Sequence, residues 1–323
     1  VSGKGSLASF NNLAFGYCKN ISYGLVATTV NKSPKKTFLL NKNIGYLTLD
    51  AWLELDDPNN LIWSQIIQNL NDLPINYTKI IPKPHQIKAI NDFFNYFKKN
   101  KAGKIFMPCG TGKTLVSSVL AKKMNAKSIL IVVPSLNLVS QMLRHWTKEF
   151  IDEKILSEWI IVCSDQTVTN FTNDDSFKGS THDLGIPTTT NTDEIREFLY
   201  TENDKIKIVI ATYQSSEIVS RASKSVNFIF DLGIFDEAHK TVGHKDKAKA
   251  FLLQDKYATI KNRLFMTATE RTFKKDNNEF ISMDNEKIYG KTIHSLTFKE
   301  AIQQKKPIIS DYKVITFEVT NQE

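Results

Sequence analysis

The stretch Ser128-Ile129-Leu130-Ile131-Val132-Val133 is apolar almost without interruption, and a run of that kind has no face to show to water. It constrains the fold more than any other feature. A β-branched run of strand length must lie inside a sheet that is covered on both sides. Related runs recur at Lys104 to Met107, Trp159 to Val162, Ile206 to Ala211, Phe228 to Phe235 and Arg263 to Met266. Helical spacing fills two of the gaps, over Lys113 to Asn125 and over Leu136 to Phe150, where Leu138, Met142, Trp146 and Phe150 share one stripe. Strands alternating with helices predict an α/β domain with a mostly parallel sheet and helices on both faces.

Before this pattern the sequence is different. Tyr23 to Val30 and Thr37 to Leu49 read as strands on either side of the turn residues Asn31-Lys32-Ser33-Pro34, giving a small α+β module over residues 1–55. Residues 56–82 read as a turn cluster, a helix with Ile62, Ile66, Ile67 and Leu70 on one side, and a proline-rich connector. The α/β domain is expected over 83–285, and 286–323 reads as a linker. Between Ser164 and Glu202 periodicity dissolves into Thr, Asn, Asp and Ser, including Thr188-Thr189-Thr190-Asn191, which predicts a long surface excursion.

Composition narrows the classes. With 41% hydrophobic and 24% charged residues, the 323-residue chain can bury a core without disulfide or metal staples. No apolar run approaches the roughly 18 residues of a membrane span. Cys18, Cys109 and Cys163 share no CxxC spacing, which argues against a zinc framework and for a reducing compartment. With no targeting pattern, an intracellular, cytoplasmic protein is expected. The chain starts at Val1 and reads as an excised piece of a longer one.

The net charge of +8 is local: residues 81–150 hold 12 basic and 2 acidic residues. Lys98, Lys99, Lys101, Lys104, Lys122, Lys123 and Lys127 are either solvated surface or a patch that tracks phosphates.

Met107-Pro108-Cys109-Gly110-Thr111-Gly112-Lys113-Thr114 lies between a predicted strand and a predicted helix. A loop there points backbone N–H groups at a phosphate, aided by the positive end of the helix dipole. Lys113 reaches the terminal phosphates, Thr114 offers a hydroxyl to Mg²⁺, and Gly110, Thr111 and Gly112 supply the close backbone. The strict pattern wants glycine where this chain has Met107. At the end of another apolar run stand Asp236 and Glu237. Beside a phosphate loop, the first would hold Mg²⁺ and the second would orient and deprotonate a water. His239 has no second His or Cys at ligand spacing, so a hydrogen bond within the site is expected of it.

Four further pieces complete a set: Pro84-His85-Gln86, Val133-Pro134-Ser135 with Gln141, Ala211-Thr212-Tyr213-Gln214-Ser215, and Met266-Thr267-Ala268-Thr269. With Gly-Thr-Gly-Lys-Thr and Asp-Glu-Ala-His, these six motifs stand in the family's order. The chain resembles the first RecA-like motor domain of superfamily 2 helicases and translocases of the DEAH-box type. The resemblance implies ATP and Mg²⁺ as cofactors, with Gln86 reading the adenine, Gly110 to Thr114 holding the phosphates, and Lys113, Asp236 and Glu237 as the catalytic set. It implies Thr114 and Asp236 at the metal. Thr267, Thr269 and His239 would couple hydrolysis to domain motion, and Ser135, Thr212 and Gln214 would touch one nucleic-acid strand through its backbone. Where the family usually has Arg, this chain has Lys83, which puts a bidentate contact there in doubt.

Val162-Cys163-Ser164-Asp165, Ile186 to Thr190, Ala238 to Gly243, Ser282-Met283-Asp284 and Ser310 to Val314 are closer to one branch. They resemble the helicase part of single-polypeptide restriction-modification translocases and of giant-virus helicases. That likeness implies DNA rather than RNA as partner, together with a second RecA-like domain. No segment matches the Arg-rich motif that supplies an arginine finger, so slow turnover is expected of the chain alone. A nuclease-like domain precedes the motor in that branch, but Asp50, Glu54 and Asp56 do not form its acidic constellation, and no nuclease activity is expected. Two other classes explain less. A P-loop metabolite kinase leaves Thr-Ala-Thr and Tyr-Gln-Ser without a role, and a non-catalytic nucleic-acid-binding module leaves Lys113, Asp236 and Glu237 without one.

Overall fold

Side chains leave a strand alternately to either face, so a wholly apolar strand needs two separate cores. Ser128–Val133 (β4) has them. Ile129, Ile131 and Val133 enter one buried cluster, and Leu130 and Val132 enter the other. The computed structural model describes residues 80–163, 188–244, 248–272 and 280–311, with short pieces before residue 80.

In those early pieces Gly24–Ala27 (β1) and Ile44–Leu47 (β2) pair in parallel. A strand-turn-strand over Asn31 to Pro34 would make neighbours antiparallel, whereas parallel strands need a crossover. Most of the expected 1–55 module, the 56–82 helix and the proline-rich connector lie outside the described residues.

The main sheet has eight strands in the order β12-β3-β10-β8-β4-β7-β5-β6, every pair parallel. Its members are Ala102–Phe106 (β3), β4, Ser157–Val162 (β5), Thr188–Thr189 (β6), Ile206–Thr212 (β7), Ile229–Asp236 (β8), Thr259–Thr267 (β10) and Lys291–Ser295 (β12). Gly243–His244 (β9) and Phe280–Ile281 (β11) form a separate antiparallel pair. Helices Pro84–Phe97 (α1), Lys113–Lys123 (α2) and Leu136–Asp152 (α3) cover one face through Phe93, Val116, Leu120, Trp146 and Phe150. Thr192–Tyr200 (α4) and Ser216–Ser225 (α5) cover the other through Ile195, Leu199, Val219 and Ala222. Short helices Glu286–Tyr289 (α6) and Phe298–Gln303 (α7) flank β12. The α/β expectation, with helices on both faces of the sheet, holds.

Two stretches differ from expectation. Residues 164–187 lie outside the described residues, but 188–200, read from sequence as part of a surface excursion, form β6 and α4. Asn191 caps α4 by accepting from the Asp193 N–H at 2.9 Å, and acids occupy the first turn. The polar run is the start of a helix, not a loop. Residues 291–295, inside the stretch read as a linker, pair with β3 as an edge strand.

Candidate nucleotide site and the edge beside it

Chain order interleaves the motifs, and strand order sorts them. The phosphate loop follows β3, Thr267 to Thr269 closes β10, and Asp236-Glu237 ends β8; these strands are consecutive in the sheet. Ser135 follows β4 and Gln214 follows β7, the next two strands along. All strands run the same way, so all five segments share the carboxyl edge, where ligands of open α/β sheets bind.

The loop between β3 and α2 is closed on itself. Thr111 donates through Oγ1 to the Pro108 carbonyl at 2.7 Å and is buried. Gly110 and Gly112 take φ of +80° and +87°, values that side chains with a Cβ avoid. At Gly112 a Cβ would also sit 2.2 Å from Gln86 Nε2. Gln86, at the third position of α1, accepts the Lys83 N–H at 2.7 Å and donates to the Thr111 carbonyl at 3.0 Å. It thus braces the loop, with one amide hydrogen and one lone pair left unused by these two bonds. His85, which the sequence reading gave no role, places Nε2 2.9 Å from the same Thr111 oxygen.

Lys113, the first residue of α2, is buried. Its ammonium donates to the Met107 carbonyl at 3.3 Å and stands 3.4 Å from Glu237 Oε1. Glu237 has φ 48° and ψ 46°, a left-handed backbone that costs a non-glycine residue of order 1 kcal/mol. That turn separates the directions of the two carboxylates. Glu237 reaches Lys113 on one side and His239 Nδ1, 3.3 Å from Oε2, on the other. His239 Nδ1 is also 2.8 Å from Thr267 Oγ1. Thr267 donates its own hydrogen to the Thr269 carbonyl at 3.1 Å, so the hydrogen shared with Thr267 and Glu237 sits on Nδ1. The chain Lys113–Glu237–His239–Thr267–Thr269 joins three strand ends.

The same environment splits the two acids. Burial, and then the Glu237 charge, push Asp236 up to about 6, with Lys113 and the Glu237 N–H opposing. Burial also pushes Glu237 upward, but the His239 hydrogen bond and the Lys113 charge outweigh it and hold Glu237 below the usual carboxylate range. Asp236 receives the Glu237 N–H at 3.0 Å, and the Tyr213 hydroxyl donates to its backbone carbonyl at 2.8 Å. A buried carboxylate driven toward neutrality lacks a counter-charge. A divalent cation fits that deficit, with the Thr114 hydroxyl and phosphate oxygens as the remaining hard donors. Among the described residues no cluster of three or more His, Cys, Asp or Glu could hold a metal alone.

Of the three residues implied at a nucleic acid, two face outward in part. Ser135 caps α3, accepting the Leu138 N–H at 3.4 Å, and stays half-buried. Gln214 is half-buried, and its Oε1 is itself buried without a protein partner. Thr212 is fully buried, its hydroxyl 3.1 Å from Ser215 Oγ. Its side chain shapes the turn and is not presented to a strand. Lys104, counted in the basic block, is also internal: it pairs with Glu270 at 2.7 Å and donates to the Met283 carbonyl at 2.7 Å.

Comparison with known proteins agrees with this geometry. The chain is 28% identical over 229 residues to a probable helicase of African swine fever virus, a match covering 70% of this chain and 23% of that protein. Among solved structures it is similar to the ATP-dependent Type ISP restriction-modification enzyme LlaBIII bound to DNA, with a TM-score of 0.71 and 25% identity over 93% of this chain and 20% of that one. A nuclease-deletion mutant of the Type ISP enzyme LlaGI in complex with a DNA substrate mimic matches at a TM-score of 0.52 and 27% identity, over 70% of this chain and 20% of that one. The chain therefore spans about a quarter or less of these relatives' lengths. The family described as "Type III restriction enzyme, res subunit" matches residues 79–272, most of the chain, and the protein belongs to that helicase-related family.

Proposed function

We propose that the chain is the first motor domain of an ATP-dependent DNA helicase or translocase. One observation carries this: the strand order β3-β10-β8-β4-β7 gathers the phosphate loop, the acid pair and the Thr-Ala-Thr turn on one side of the carboxyl edge and the Ser135 and Gln214 turns beside them. A kinase would need only the phosphate loop and the acid pair. DNA is favoured over RNA because the two similar Type ISP enzymes are bound to DNA and to a DNA substrate mimic.

In this function Lys113 and the Gly110 to Thr114 backbone would bind the phosphates, while Asp236 and Thr114 would hold Mg²⁺, which would supply charge neutralisation at the transferring group. Without nucleotide, Lys113 is held by Glu237 and Met107. Drawing Lys113 toward a phosphate releases one Glu237 oxygen, which can accept the proton of an attacking water. His239 keeps the other oxygen and passes its displacement to Thr267 and Thr269. A second motor domain would complete the site, and residues 286–323 would lead toward it. ATP hydrolysis by the longer polypeptide, measured with single-stranded DNA, duplex DNA and RNA, tests the proposal. Stimulation by DNA is expected; ATP consumption that follows a small metabolite and ignores nucleic acid would overturn it.

A further inference from the structure

We propose that His85 is a positioning residue for the phosphate loop, acting on the Thr111–Gly112 peptide; this rests on the loop being the ATP phosphate site. Thr111 lies between Gly110 and Gly112, both at positive φ. The Thr111–Gly112 peptide runs into a glycine and leaves a residue that itself follows a glycine, so the loop's own preferences do little to fix its orientation. Two side chains of α1 impose it. His85 Nε2 and Gln86 Nε2 meet the Thr111 carbonyl oxygen at 2.9 and 3.0 Å. A carbonyl oxygen accepts two hydrogen bonds, and this one has both from a single helix end.

The consequence follows from peptide geometry. In a planar trans peptide, C=O and N–H point in opposite directions. Drawing the Thr111 oxygen toward α1 therefore turns the Gly112 N–H away from α1, to be presented to a phosphate at the start of α2. Thr111 Oγ1, bonded to Pro108, fixes the side chain but leaves the following peptide free to rotate. Gln86 has a further task in bonding the Lys83 N–H, whereas the bond of His85 to the loop orients this peptide only. Because Thr111 O cannot donate, the contact requires a hydrogen on Nε2, which sets the tautomer of His85 whenever it is neutral.

Three substitutions separate loop positioning from a contact to the base. Glutamine places an N–H where Nε2 stands, asparagine stops short of it, and phenylalanine keeps the ring without the donor. Affinities of the whole chain for Mg·ATP and for inorganic tripolyphosphate are measured by calorimetry, with thermal melting as a check on folding. His85→Phe and His85→Asn are expected to weaken both ligands roughly three- to tenfold, the worth of one hydrogen bond, while His85→Gln stays within about twofold of wild type.

The proposal is overturned if His85→Phe binds both ligands normally, or if His85→Gln is as weak as His85→Phe. A loss for ATP with none for tripolyphosphate also overturns it, since that marks a base contact. Lys113→Ala distinguishes the underlying reading. If that variant keeps wild-type ATP affinity, the phosphate site itself is misplaced; if it loses affinity while His85→Phe does not, only the role of His85 falls.

Discussion

The acid pair Asp236-Glu237 shows what adjacent residues of one charge do when a backbone turn sends them to different surroundings. That both are acids, and that they end an apolar strand, is legible in the sequence. Their opposite electrostatic fates are not, because these depend on burial, on Lys113 arriving from elsewhere in the chain and on the turn that folds His239 back beside Glu237. Asp236, raised from 3.8 to about 6, binds its proton more tightly folded than unfolded. Its contribution to stability is therefore full below about pH 4 and is lost as pH rises through 6. At pH 8 without a cation the buried charge costs about 3 kcal/mol. Asp236→Asn is accordingly expected to melt higher than wild type at pH 8 without Mg²⁺ and about equally at pH 4. A lower melting temperature at pH 8 would show that Lys113 already compensates the charge. Proton and cation compete for the same oxygens, so Mg·ATP affinity is also expected to weaken below pH 6, which titrations in matched buffers can follow.

Among elements, the strands and helices of the sheet's centre were readable because burial on both faces leaves a strong hydrophobic signal. β4 matches its expected bounds residue for residue. The elements at the two sheet edges were not readable. β6 has two residues and α4 begins in a polar run, so the hydrogen bond of Asn191, rather than periodicity, marks the helix. β12 follows the turn Ser282 to Asn285 and the short helix α6, and only the structure shows why Gly290 stands between that helix and the strand. At φ +69° a Cβ would meet the Ala102 carbonyl oxygen at 1.8 Å, a backbone atom that cannot give way. Gly290→Ala is expected to cost about 2–4 kcal/mol in urea unfolding, through detachment of β12 from β3. A variant of unchanged midpoint would contradict the close approach.

For the whole molecule, the parallel sheet makes chain order and function order different, which is why the motifs could be found in sequence but not sorted into neighbours. It also separates the basic block from the proposed nucleic-acid edge. Lys98, Lys99 and Lys101 follow α1, Lys123 ends α2 and Lys127 precedes β4. All five are exposed at the amino-terminal edge of the sheet, opposite Ser135 and Gln214, while Lys104 is buried and Lys122 is paired with Glu149 and Glu153. Replacing the five exposed lysines by serine is expected to leave the salt dependence of DNA affinity unchanged. A slope reduced by close to one for each lysine would make them phosphate contacts after all. In accord with the apolar runs, no helix among the described residues is long and apolar enough to cross a membrane.

All of this depends on the carboxyl edge holding Mg·ATP through Lys113. Calorimetric titration of Mg·ATP into the wild-type chain and into Lys113→Ala tests that directly. A saturable one-to-one isotherm for wild type, weakened roughly ten- to a hundredfold by loss of the charge-assisted contact, is the expected result. A wild-type chain that binds no Mg·ATP, or a variant that binds it equally well, would contradict the account.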